Sequence, residues 1–254
     1  MDPYVIPFSF PGLPKIRCFF GTRVGGVSPA PYDTLNISFD VGDDPQNVRT
    51  NRKRLMERLP FSHWQELRQV HGQTMLFDPE PAGEDGMTAG EGDGMGTSRP
   101  GRALVIKTAD CQPILLAHRG GRHVAALHCG WRGNRADFPG TGVREFCSRY
   151  GLDPEDVLAV RGPSLGPDHA QFVNFSSEWG EEFAGYYDPI SKTVDLWRLT
   201  GDQLRTAGIR PENVFSVDLC TYLRRDIFFS YRRERASGRQ ASWIWIDAGS
   251  ASAI

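Results

Sequence analysis

Three residues of this sequence combine metal-binding side chains with positions where short apolar runs hand over to loops. They are His71 in Gln69-Val70-His71-Gly72, Cys111 in Thr108-Ala109-Asp110-Cys111, and His128 in His128-Cys129-Gly130-Trp131-Arg132-Gly133. Imidazole nitrogen and thiolate sulfur are preferred zinc ligands, and three protein ligands leave a tetrahedral ion one position open for water or substrate. One thiolate cancels half of the formal charge of Zn2+ and leaves enough to acidify a bound water. A fourth ligand would close the site, and Cys129, His169 and Asp110 are the candidates for that role. His63, His118, His123 and His169 otherwise read as surface or satisfied histidines. Cys129, next to His128, reads as packing, because neighbours on a strand face opposite ways.

Position supports the Cys111–His128 pair. Two apolar runs, residues 113–117 and 123–127, flank His118-Arg119-Gly120-Gly121-Arg122. A hairpin turn at Gly120-Gly121, where both residues accept φ > 0, sets Arg119 opposite Arg122 and His128 opposite Pro113. Cys111 then lies diagonally across from His128 on the same face, within reach of a shared ion. A slip of one residue would separate them.

Other elements must hold this arrangement. Residues 16–20, 74–77, 103–107, 157–160, 214–219, 227–231 and 241–246 read as strands. Residues 45–59, 141–149, 177–184 and 195–207 read as helices, the first with Pro45 near its start and a solvated basic face of Arg49, Arg52, Lys53 and Arg54. Residues 78–101, rich in Gly, Pro, Asp and Glu, read as a long loop or lid. Within them Gly92-Asp93-Gly94-Met95-Gly96 only superficially resembles a phosphate-binding loop. Strands mixed with helices, without regular βαβ alternation, indicate an α+β fold with mixed sheets. No linker divides the 254 residues, so a single domain is expected over 1–254.

The bulk composition narrows the function. Net charge is −2 and the pI is about 6.3, so there is no basic excess to neutralise a nucleic-acid backbone or dock on an anionic membrane. The N-terminal residues lack a basic segment followed by an apolar run, and no stretch approaches spanning length. Five cysteines without CxxC spacing fit a reducing compartment better than a disulfide framework. A cytoplasmic protein, a monomer or weak homodimer, is expected.

The motifs also resemble a family. Gly21-Thr22-Arg23-Val24-Gly25-Gly26-Val27-Ser28, Leu35-Asn36, Val41-Gly42-Asp43-Asp44 and Asn51-Arg52 resemble the N-terminal pattern of the laccase-domain family, also called polyphenol oxidase or peptidoglycan editing factor and described as zinc-dependent purine nucleoside phosphorylases with adenosine deaminase activity. The three candidate ligand motifs occur in that family's order. Gly162-Pro163-Ser164-Leu165-Gly166-Pro167, Phe228-Phe229-Ser230-Tyr231-Arg232-Arg233 and Gly238-Arg239 are similar to its C-terminal signatures. The resemblance implies a four-layer αββα fold and a His–Cys–His metal site. Asp168-His169-Ala170-Gln171-Phe172 stands where many relatives carry a Cys pair and a Tyr. Cys129 stands where they carry Ala.

The leading expectation is phosphorolysis of adenosine, inosine or methylthioadenosine, with nucleoside and phosphate as partners and deamination as an added activity of the same site. Arg132 is the first candidate to hold phosphate and Arg23 the second, because a guanidinium grips phosphate bidentately. Asn36 is a candidate to bind ribose or base. The zinc deaminase signature H-x-E with P-C-x-x-C is absent. The alternative is a hydrolase, an amidase that edits peptidoglycan precursors, using zinc-bound hydroxide or Cys111 as nucleophile with His128 as base. A copper polyphenol oxidase ranks lower: six histidines with no His-x-His are few for a multicopper site. Copper loading in vitro is still expected, because copper outcompetes zinc in affinity.

Overall fold

A computed structural model describes residues 2–80 and 88–249. In chain order the elements are strands β1 (Val5–Phe8) and β2 (Ile16–Gly21), helix α1 (Pro45–Arg58), strands β3 (His63–Glu66), β4 (Met75–Phe77), β5 (Gly94–Thr97), β6 (Arg102–Thr108), β7 (Gln112–His118) and β8 (Val124–Cys129), then helices α2 (Trp131–Arg135) and α3 (Phe138–Tyr150). They continue with β9 (Val157–Arg161), α4 (Phe175–Glu178), β10 (Tyr187–Asp188), β11 (Thr193–Val194), α5 (Leu196–Thr206), β12 (Val214–Ser216), α6 (Tyr231–Glu234) and β13 (Gln240–Ile246).

The alternation of side chains along the strands dictates the layering. The two larger sheets run β1-β2-β13-β6-β3 and β12-β9-β7-β8-β5-β4, and both mix parallel and antiparallel pairs. Leu104, Ile106, Ile244 and Phe20 from the first sheet meet Leu115, Ala126, Val160 and Met95 from the second in one buried cluster. The alternate residues Val105, Trp243 and Trp245 pack outward with Leu55 and Leu59 of the α1 segment. Ile114, Leu116, Leu127 and Ala159 pack outward against Phe138, Val143 and Phe146 of α3 and Leu204 of α5. The result is helix, sheet, sheet, helix, as expected. It explains why the central residues of β7, β8, β9 and β13 are apolar on both faces rather than alternating: both faces are covered.

Local signals account for the helices. Asp44 accepts from the Gln46 amide at the start of α1, with Pro45 in the first turn, and Asp195 does the same for Arg198 in α5. α3 stops at Gly151, whose φ of +64° is the left-handed cap that favours glycine. The hairpin register is as derived: Pro113 pairs with His128 and Ala117 with Val124. Only Gly121 of the turn takes positive φ, at +66°.

Several expectations are corrected. Residues 177–184 form no single helix; α4 ends before Trp179, and a 3-10 segment, Glu181–Tyr186, follows. Residues 227–231 are not a strand; Ser230 caps α6, its hydroxyl accepting from the Arg233 amide. Residues 94–97 leave the expected loop to become β5. Its glycines let the neighbours close in: a Cβ at Gly94 would lie 2.7 Å from Met75 Cγ, and one at Gly96 2.7 Å from Phe77 Cδ1. Arg52 is not solvated. It is buried, with Nε donating to the Ile37 carbonyl and Nη2 paired to Glu66.

Two chain crossings between the sheets matter for function. The loop from β3 to β4 carries His71, and the link from β6 to β7 carries Cys111. His128 ends β8 beside them, and Gln240, the first residue of β13, pairs with Thr108 at the same rim.

Candidate metal centre

The crossings bring His71, Cys111 and His128 together, with one ligand atom of each lying within 4.8 Å of the others. Cys111 Sγ is 3.8 Å from His71 Nε2, and the two imidazole rings stand nearly perpendicular with centroids 4.8 Å apart. Backbone strain sits here as well. His71 and Asp110 take φ of +59° and +96°, values that side-chain-bearing residues rarely adopt. Asp110 is held in that form because its carboxylate accepts from Thr221 Oγ1 and the Arg232 amide, while its carbonyl accepts from Leu165. Gly130 completes the fit: a Cβ there would lie 2.9 Å from Cys111 Sγ and 3.2 Å from His71 Cδ2.

One buried carboxylate organises two of the three ligands. Asp93 Oδ1 accepts from the His71 amide at 3.0 Å and lies 2.7 Å from His128 Nδ1. Its Oδ2 accepts from the amides of Gly72 at 2.7 Å and Val70 at 3.2 Å. An ionised carboxylate only accepts, so the proton sits on His128 Nδ1 and the Nε2 lone pair is left for a cation. Backbone contacts lock the same unit, with the His128 amide donating to the Asp93 carbonyl at 2.7 Å. The sequence reading missed Asp93 because a glycine-rich stretch reads as loop. Nothing in the sequence separates Asp93 from Glu91, two residues earlier, as the partner of a histidine.

The electrostatics favour a bound cation. Burial pushes the Cys111 thiol up, but the His128 and His71 imidazoles more than reverse this and bring its pKa to about 6. Burial disfavours the His128 imidazolium, yet Cys111 and Asp93 raise its pKa to about 9. These shifts set a thiolate beside a protonated imidazole, and a divalent ion would take the place of that proton. Burial raises the Asp93 carboxyl, but its hydrogen bonds to His128 and the three amides outweigh this and hold it below the usual range.

Among the described residues no fourth His, Cys, Asp or Glu atom joins the cluster. Cys129 points away into the core between β8 and α3, its thiol pushed well up by burial. The Asp110 carboxylate is already engaged, and His169 stacks on Tyr222 at 4.6 Å. The donor set of one soft thiolate and two imidazoles fits a zinc-class ion with an open position.

Two chambers flank the cluster, and His71 and Cys111 line both. One, of about 280 Å³, is walled by Trp131, Arg132, Leu165, Phe172 and Leu196. The other, of about 580 Å³, is walled by Asp40, Arg68, Lys107 and Arg239. Tyr231 borders each. Of the remaining candidates, only Arg132 comes near: it is exposed, with its guanidinium 4.3 Å over the Trp131 ring. Arg23 does not reach the cluster. It lines a separate cavity of about 620 Å³, where Asp33 and Glu234 hold it. Asn36 is fully buried, donating to the Ser38 carbonyl and Asp43 and accepting from the amides of Ser38 and Arg239. It therefore braces the Arg239 backbone rather than meeting a ligand.

The chain is similar to known proteins over nearly its whole length. Residues 17–247 match the family described as multi-copper polyphenol oxidoreductase laccase. A purine nucleoside phosphorylase, YfiH, from Escherichia coli (strain K12) is 35% identical over 97% of this chain and 100% of its own. A purine nucleoside phosphorylase, PA4543, from Pseudomonas aeruginosa is 35% identical over 97% of this chain and 99% of its own. The crystal structure of NMB0706 from Neisseria meningitidis superposes with a TM-score of 0.84 at 30% identity, covering 96% of this chain and 99% of that one.

Proposed function

Because the chain belongs to the multi-copper polyphenol oxidoreductase laccase family, whose curated relatives are named for phosphorolysis rather than oxidation, we propose that it is a zinc-dependent purine nucleoside phosphorylase acting on adenosine, inosine or methylthioadenosine. The observation that carries this reading is the three-ligand cluster opening on two chambers. His71, Cys111 and His128 would hold the ion, which when bound would supply an electrophile for an oxygen-bearing or anionic reactant. Asp93 keeps the His128 proton on Nδ1 and fixes the loop of His71. In the reaction a phosphate oxygen bonds to ribose C1′ as the C1′–N9 bond breaks. The released electron pair passes to the purine, which takes up a proton. Walls of Trp131, Phe172 and Leu165 offer apolar surface to one side of the site.

The decisive assay is release of free base from the three nucleosides by zinc-replete protein, with and without phosphate. Phosphate-dependent base release supports the reading. Ammonia release indifferent to phosphate points to deamination, and silence on all three rejects a nucleoside substrate.

One observation favours a second reading. Cys111, His128 and Asp93 stand in the order nucleophile, base, orienting acid, as in thiol hydrolases. His71 has no part in that mechanism, so full activity of a His71→Ala variant, with no bound metal, would support it against the metal-dependent one.

A further inference from the structure

The two chambers differ in chemistry, and that difference assigns ends to the substrates. On the Trp131 side an apolar and aromatic wall of Trp131, Leu165, Phe172 and Leu196 stands beside Arg132, Arg232 and Arg235. Trp131 and Phe172 lie 5.7 Å apart at a steep angle, backed by Leu165 and Leu196. Nη1 of the nearby Arg232 donates to the carbonyls of His169 and Gln171. Such walls suit the face of a heteroaromatic base.

The opposite chamber is cationic. Arg68, Lys107 and Arg239 line it against one carboxylate, Asp40. Two of the three cations are already matched: Arg68 with Glu91, and Lys107 with Glu66 at 3.2 Å and Asp40 at 3.3 Å. Arg239 is different. Its Nη1 donates to the Ser237 and Gly238 carbonyls and the Ser237 hydroxyl, which fixes the plane of the guanidinium. Among the described residues it makes no ion pair, and its Nε and Nη2 donate to no protein atom. A half-buried guanidinium with one edge tied and the other unspent is a fork waiting for an oxyanion.

We propose that inorganic phosphate binds the free edge of Arg239 in the Lys107 chamber, and that the purine base occupies the Trp131–Phe172 chamber. The ribose then spans the wall of His71, Cys111 and Tyr231. This rests on the phosphorolysis reading above. It moves the phosphate from Arg132, the candidate suggested by spacing, to Arg239 on the other side of the cluster. Arg132 stays by the base chamber, its guanidinium 4.3 Å over the Trp131 ring.

The test uses zinc-loaded protein and variants Arg239→Gln, Arg239→Lys and Arg132→Gln. Binding of inorganic phosphate and of hypoxanthine is measured separately by calorimetry, alongside KM for phosphate and for inosine. Arg239→Gln is expected to weaken phosphate about 10- to 100-fold and to leave hypoxanthine within about threefold. Arg239→Lys keeps the charge without the fork and is expected to fall between, which decides the matter if the Gln variant folds poorly. Arg132→Gln is expected to leave phosphate affinity unchanged. Equal phosphate affinity in the Arg239 variants and the parent, loss only in Arg132→Gln, or no phosphate binding by the parent overturns the proposal. If phosphate binds through Arg239 but no nucleoside is cleaved, the reaction assignment fails and the anion site stands.

Discussion

Replacing Asp93 by Asn removes one charge and a single acceptor, and the structure fixes what that does. Oδ1 serves the His71 amide and His128 Nδ1; Oδ2 serves the amides of Gly72 and Val70. The Asn side chain must place its NH2 on one of these sides. Facing Gly72 and Val70, it leaves two amides opposed by a donor and loosens the loop that presents His71. Facing His128, it forces the proton from Nδ1 to Nε2, the atom needed for the metal. Hydrogen bonds to a charged group contribute roughly 1.5–3 kcal/mol each; the first orientation loses two of them and the second loses one, to the His71 amide, so a destabilisation of about 3 kcal/mol is expected. Loss of such a carboxylate partner typically weakens metal affinity about 10- to 100-fold. Chelator competition with zinc, together with urea unfolding of the metal-free protein, measures both. An Asp93→Asn variant with unchanged zinc affinity and an unchanged urea midpoint would refute the reasoning.

Three other outcomes follow from named contacts. Gly130→Ala is compatible with the backbone at φ −85°, so it should fold; its Cβ, 2.9 Å from Cys111 Sγ, should lower zinc affinity by about tenfold or more, read by the same competition. His71→Ala should lose bound metal and phosphorolysis together, as metal analysis and the inosine assay would show. Glu66, bound by Arg52, Lys107 and Trp64, has its carboxyl held low: burial raises it, but Lys107 and Arg52 outweigh that. Its stabilisation is complete above the unfolded value of about 4.3 and is lost as pH falls from there through the lower folded value. Glu66→Gln should cost about 3–5 kcal/mol at pH 7, with the gap from the parent narrowing below pH 4 in urea titrations.

Much of the site was legible because its ligands end apolar runs and the Gly120-Gly121 turn fixes the register: Pro113 opposite His128 follows from counting. The pattern of elements gave α+β with mixed sheets, and the four layers came from the family resemblance. What stayed hidden depends on tertiary contact. β5 carries glycines, not β-formers, because Met75, Leu127, Phe138 and Phe77 fill the space where its side chains would be, and packing overrides propensity there. Asp93 vanished with it. Residues 227–231 have strand composition, yet the Ser230 cap and the Asp110 carboxylate start α6 at Tyr231 and leave 227–229 without regular structure. Arg23 and Asn36 looked like binding residues because their polarity shows in sequence, whereas their partners Asp33, Glu234 and Asp43 do not. Arg239 was noticed only as a terminal motif; its unpaired edge is a property of the fold.

The central claim is a single ion held by His71, Cys111 and His128 with one position left for reactants. X-ray absorption at the zinc edge of the purified holoprotein tests it most directly. The account predicts one sulfur at about 2.3 Å, two imidazole nitrogens at about 2.0–2.1 Å and a light exchangeable fourth neighbour that changes when phosphate is added. A shell with no sulfur, or one closed by a second sulfur or a third imidazole, would contradict it.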